Sequence, residues 1–227
     1  QQVEKYAAGD LVNDGKFMHA ESLFEQSKYA EALMAFERLV DLKFDSDRFS
    51  VVAWLHAGQA AAQEKKFEQA RGLLQRVVDS ELDEAEDYRQ EAHFEIGWSY
   101  ERQMKYEEAL ENFTVAGRNR GAVGARAFFM IGEVYYKQKK FAEAIKQFDR
   151  TLLRFEDAAA KPWQALSAYE AGVCKEVLAE QAEDPEVKKE LVRQAMDYYQ
   201  QIVDVYSDTE HVAKAKTRIE ELMKLLQ

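Results

Sequence analysis

The stretch from Gly97 to Ala116 reads GWSYERQMKYEEALENFTVA. Gly97 and Tyr100 lie three residues apart, a polar run ends at Lys105, and Tyr106, Ala109, Phe113 and Ala116 then recur at three- and four-residue steps. That spacing puts one apolar face on each of two helices joined by a tight turn. A hairpin of this length cannot bury its own apolar face, so the pattern should recur along the chain. It does, at Tyr29-Ala32-Phe36, Phe67-Ala70-Leu74, Phe141-Ala144-Phe148 and Val192-Ala195-Tyr199. Successive anchoring alanines are 38, 39, 35 and 51 residues apart, a period typical of stacked helical units.

Twelve residues before the first four alanines stand Ala20, Gly58, Gly97 and Gly132, each small enough to let paired helices approach closely. First helices are expected near residues 14–26, 50–63, 91–103 and 125–138. Second helices are expected near 29–42, 67–79, 106–117 and 141–154, with Ser27-Lys28, Lys65-Lys66, Met104-Lys105 and Lys139-Lys140 as turns in which lysine meets the carbonyl end of the finished helix. In the fifth unit the small residue Gly172 precedes Ala195 by 23 residues, and the surplus is assigned to Glu180–Glu190 as a loop or short extra turn outside the stack. Ser207-Asp208-Thr209-Glu210 reads as a helix start. Val212, Ala215, Ile219, Leu222 and Leu226 then give the single apolar stripe of a terminal helix.

Composition narrows the function. With 42 acidic and 31 basic residues, the net charge of −11 disfavours nucleic acid and anionic lipid as partners. No stretch has the roughly 18 uncharged apolar residues of a membrane span, so a soluble protein is expected. Cys174 is the only cysteine and is expected to be a buried thiol. Histidines 19, 56, 93 and 211 lack metal-ligand spacing, and the acidic run Asp79–Asp87 lacks the glycine of a calcium loop. The turn Gly117-Arg118-Asn119-Arg120-Gly121 leads into a helix without matching a nucleotide signature. No catalytic set and no cofactor loop appears, so no enzyme, no cofactor and no metal is expected.

Gly97, Tyr100, Tyr106, Ala109, Phe113 and Ala116 together resemble the tetratricopeptide repeat, as do Gly132, Tyr135, Phe141, Ala144 and Phe148, and Trp54 with Gly58 and Ala70. The resemblance departs at Ala20, where the first unit lacks the glycine, at Ala61 in place of tyrosine, and in a spacing above the family's usual length. It implies an all-α fold, a right-handed α-solenoid of about five hairpins near 13–44, 50–82, 90–121, 125–156 and 161–206, with a capping helix at 208–226. The whole chain, 1–227, is read as a single domain, and 1–12 as the remnant of a preceding helix. Tyr206-Ser207-Asp208-Thr209, followed by Ala213 and Lys216, is similar to a joint found in bacterial cell-envelope members, including outer-membrane assembly lipoproteins and Tol-Pal associated proteins. That likeness leans toward the periplasm or envelope, with the cytoplasm as the alternative.

The family binds peptides or partner helices on the concave face made by its first helices. Counting from each small residue places Phe17, Phe24, Leu55, Phe94, Trp98, Phe129, Tyr136 and Tyr169 on that face, with Glu21, Glu101, Arg126 and Glu133 as its polar rim. A competing reading buries these rings as ordinary core between neighbouring helices. Chaperone adaptors of the family grip a terminal carboxylate with basic residues where this chain has Phe17, Leu55, Phe94, Trp98 and Phe129, so that grip is not expected. The function expected is a non-enzymatic scaffold for a protein or peptide partner. The alternative is a structural subunit that joins copies of itself or one fixed partner, as in a cell-envelope complex.

Overall fold

The computed structural model describes residues 10–42 and 47–226, and they are almost entirely helical. In chain order the α-helices are α1 (Asp10–Glu25), α2 (Tyr29–Glu37), α3 (Asp47–Gln63), α4 (Phe67–Asp79), α5 (Arg89–Glu101), α6 (Tyr106–Ala116), α7 (Ala122–Lys137), α8 (Phe141–Arg154), α9 (Lys161–Gln181), α10 (Pro185–Val205) and α11 (His211–Leu225). Short 3-10 segments at Asp83–Asp87 and Ala158–Ala160 join hairpins. The fold is thus the expected all-α array of hairpins. Its internal contacts divide it into two compact units, Gln1–Ala116 and Gly117–Gln227.

Each hairpin forms because its turn satisfies both helix ends. Ser27, Lys65, Met104 and Lys139 sit in the left-handed region, with φ of 58°, 60°, 59° and 60°. The next residue then donates its backbone N–H five residues back: Lys28 to Leu23, Lys66 to Ala61, Lys105 to Tyr100 and Lys140 to Tyr135, at 2.8–3.0 Å. This is the Schellman closure. The carbonyls of Lys28, Lys66, Lys105 and Lys140 accept from Ala32, Ala70, Ala109 and Ala144, starting the second helix at once. The finished helix is therefore met by a lysine backbone amide, while the ammonium groups of Lys105 and Lys140 lie 5.9 Å above the rings of Tyr100 and Tyr135.

Within a hairpin, the glycine receives the bulky side chain four residues after the anchoring alanine. A Cβ on Gly97 would stand 2.8 Å from the Phe113 ring, and one on Gly132 would stand 2.4 Å from the Phe148 ring. Gly58 against Leu74 and Gly172 against Tyr199 repeat the arrangement. All four of these bulky side chains are fully buried. Between hairpins, the carbonyl of Val40 accepts from both Trp54 Nε1 (2.8 Å) and Arg76 Nη2 (2.9 Å), and the Arg76 guanidinium stacks 4.8 Å above the Trp54 ring. Gln164 plays a similar part in the second unit, donating to the carbonyls of Leu152 and Phe155 at the end of α8.

Two expectations are corrected. The surplus of the fifth unit is not looped out, because α9 and α10 are each 21 residues long and only Ala182–Asp184 separates them. Asp184 accepts from the N–H of Glu186, and Pro185 occupies the first turn of α10, so Glu180–Glu190 supplies two helix ends. The second helix of the first hairpin stops at Glu37 rather than 42. In the acidic run Asp79–Asp87, between two hairpins, Ala85 is fully buried and Arg89 donates to the carbonyl of Ser80 at 2.7 Å, while Asp79, Glu81, Asp83, Glu86 and Asp87 stay exposed. Val3 and Tyr6 of the expected N-terminal remnant lie outside the described residues.

Candidate partner-binding face

In the first unit the first helices α1, α3 and α5 touch one another in sequence, and in the second unit α7, α9 and α11 do the same. The candidate residues therefore lie along an inner row in each unit, but the row separates into two layers. Residues three positions before the small residue are core in the first four hairpins, whereas Tyr169, three before Gly172, is half-buried. Phe17 (4% exposed), Leu55 (3%), Phe94 (0%) and Phe129 (7%) pack on second-helix partners, with Phe94 to Phe113 at 5.3 Å and Phe129 to Phe148 at 5.7 Å between ring centroids. Glu101, at 6% exposed, is likewise no rim residue. These five assignments are corrected: Phe17, Phe94 and Phe129 are covered by the rings of Phe36, Phe113 and Phe148 and Leu55 packs with Leu74, all on second helices, while Glu101 is buried at the end of α5.

The remaining candidates are half-buried and lie one or four positions after the small residue, apart from Tyr169 and Arg126. In the first unit Phe24 stacks flat on the His56 imidazole (4.7 Å, 2° between planes), and His56 Nδ1 lies 2.7 Å from Glu21 Oε1. Gln59 donates to Glu95 at 3.3 Å, and the Arg102 guanidinium lies 5.8 Å from the Trp98 ring. In the second unit Tyr136 packs edge-on against Phe141 at 5.4 Å, Tyr169 lies 5.4 Å from Tyr199 and 6.3 Å from His211, and Arg126 lies 5.7 Å from the Trp163 ring.

Sequence reasoning missed Glu170, one residue after Tyr169. Burial pushes its carboxyl up to about 7, the negative charge of Glu133 adds to the rise, and Lys214 opposes it. Burial also pushes the Cys174 thiol up to about 12, with Glu170 and Glu133 contributing, which leaves it protonated and inert. Burial and the same neighbours raise Tyr136. The available signal was an acidic residue beside a ring on a helix otherwise rich in alanine.

Glu176, four residues after Gly172, is already engaged. It accepts from the Tyr199 hydroxyl and from both Nε and Nη2 of Arg218, which Glu221 also holds. Beyond it, a cleft of about 510 Å³ opens among α9, α10 and α11, with Ala179, Pro185, Val192 and Leu222 in its lining. Among the described residues no group of three His, Cys, Asp or Glu could hold a metal ion.

A model of the tetratricopeptide repeat matches residues 17–89, 57–122, 94–162 and 129–173. The chain belongs to the tetratricopeptide repeat family. No curated protein sequence matches it at a significant level. Among solved structures, this repeat protein is similar to MamA (TM-score 0.59, 15% identity, 85% of this chain and 94% of that one). It is also similar to the nearly identical repeats of a putative kinesin light chain from Podosopora anserina (0.59, 14%, 87% and 99%). A third neighbour is YrrB, described as a tetratricopeptide protein with an unusual peptide-binding site (0.54, 17%, 87% and 90%). At these identities the likeness is one of fold. The tetratricopeptide fold supports a protein–protein interaction scaffold, a class generally without enzymatic activity. No helix among the described residues is long and apolar enough to cross a membrane.

Proposed function

We propose that this repeat protein is a non-enzymatic scaffold whose inner rows take a peptide or helix of a partner protein. The observation that carries the reading is the layering of the rows. The rings that fill the core are separate from Phe24, Trp98, Tyr136 and Tyr169, which keep part of their surface exposed on the same first helices. Half-exposed aromatic side chains on rigid helices lose little entropy when covered and are the usual anchors of a binding face. The polar groups among them are Glu21 in the first unit and Arg126, Glu133 and Glu170 in the second. Glu170 carries the chemical preference: a lysine or arginine of the partner placed beside it relieves the cost of a half-desolvated carboxylate facing Glu133. The expected ligand is an extended or helical segment with apolar and basic residues.

Selection from a random peptide library tests this. Recovered peptides should be enriched in aromatic and basic residues. Trp98→Ala should weaken the peptides taken by the first unit, and Glu133→Lys those taken by the second, about tenfold or more while the circular dichroism spectrum is kept. Peptides that bind the Trp98→Ala and Tyr136→Ala proteins with unchanged affinity would remove the inner rows as the site.

A further inference from the structure

The outward side of α8 carries the stripe Lys146, Arg150, Leu153 and Arg154, positions that share one helical face. Leu153 is 87% exposed, the most exposed large apolar side chain among the described residues. Arg150 and Arg154 are not loose. Their guanidinium groups lie 5.9 Å and 5.1 Å from the same Phe128 ring, and Arg154 is also 5.9 Å from Phe155, so two cations are held over a buried aromatic floor. Arg120, from the turn preceding α7, joins Arg154 on a cleft of about 430 Å³ whose other lining residues are Glu156 and Asp157. Among the described residues, Arg120, Arg150 and Arg154 form no ion pair; Arg150 has only Gln147 as a hydrogen-bond partner. Like charges four residues apart on a helix repel. These arginines stand unpaired on a face that also carries Glu143, Glu156 and Asp157, in a chain of net charge −11.

We infer that this face docks an acidic amphipathic segment of a partner protein, separately from the inner rows. Carboxylates of the segment pair with Arg150 and Arg154, whose planar donor forks suit them, and an apolar side chain covers Leu153. Asp157 accepts from the N–H of Ala159, which fixes it at the start of the 3-10 turn. With Glu156 it makes part of the cleft lining acidic, so the partner's carboxylates are directed toward Arg150 and the exposed face of α8. The two acids also disfavour a nucleic-acid backbone, whose phosphates would lie close to them.

The test is fluorescence anisotropy with a labelled amphipathic peptide of glutamate and leucine, alongside its glutamine counterpart. The natural protein should bind the glutamate peptide and lose it in high salt. Arg150→Glu with Arg154→Glu should weaken binding about tenfold or more, and Trp98→Ala should leave it unchanged. Leu153→Asp alters a side chain that packs on nothing, so it reports on docking even if the arginine pair disturbs folding. The inference is overturned by equal affinity in the arginine and Leu153→Asp variants, or by equal binding of the glutamine peptide. Retention of duplex DNA in preference to the peptide would also overturn it, as would a salt-sensitive self-association abolished by the same substitutions.

Discussion

At the scale of single residues, two features have direct consequences. Lys139 holds a left-handed conformation at φ 60°, which costs a side-chain-bearing residue about 1 kcal/mol relative to glycine. Lys139→Gly should therefore raise the unfolding free energy by about 0.5–1 kcal/mol in urea titration, with no change in binding. Glu170 sets a pH dependence. Its carboxyl is raised from 4.5 to about 7 in the folded protein, so the native state keeps a proton that the unfolded chain releases. The sign is then fixed: the contribution is full below the ordinary carboxylate range and is lost as pH rises through about 7. Thermal or urea unfolding should show a loss on the order of 2 kcal/mol between about pH 5 and pH 8. Glu170→Gln should flatten that slope. Its persistence in the Gln variant would assign the effect elsewhere.

At the scale of helices, the glycine contacts decide whether a hairpin closes. Gly97→Leu should cost about 3 kcal/mol or more, because neither the Phe113 ring nor the backbone carbonyl of Ala109, 3.2 Å from a Cβ at Gly97, has room to give. Phe94→Ala and Phe129→Ala should each cost about 3–5 kcal/mol, the response of a core ring, measured as a fall in urea midpoint. The terminal helix α11 is held both by its apolar stripe and by the Glu176–Arg218 pair, which is partly shielded from water. Arg218→Met should destabilise the protein by about 1–2 kcal/mol and speed amide exchange at Ala215 and Leu222 first. Uniform acceleration along the whole chain would show that the pair does not act locally.

At the scale of the whole molecule, net charge governs encounter more than fold. With 11 more acidic than basic side chains, association with a basic peptide should slow about tenfold between low and high salt, chiefly through the on-rate. Stopped-flow quenching of tryptophan fluorescence would measure it, and a salt-independent on-rate would mean that the contact is apolar throughout.

The hairpins and their small-residue contacts were legible from local spacing, since Ala109, Phe113 and Gly97 meet within one helix–turn–helix and need no distant part of the chain. The turn positions were legible, but not their chemistry. Ser27, Lys65, Met104 and Lys139 carry no glycine to announce a left-handed backbone. The candidate face was legible only in half. Which rings of a first helix are covered depends on the helices packed beside it, and periodicity treats Phe94 and Trp98 alike. The stripe of Lys146, Arg150, Leu153 and Arg154 was written in the sequence too, yet the holding of two guanidinium groups above Phe128 depends on α7 lying beneath α8. Sequence alone fixed which residues pair within a hairpin, because that information is local and periodic. The tertiary structure decided which side chains remain open to a partner, because exposure belongs to the assembled helices and not to any one of them.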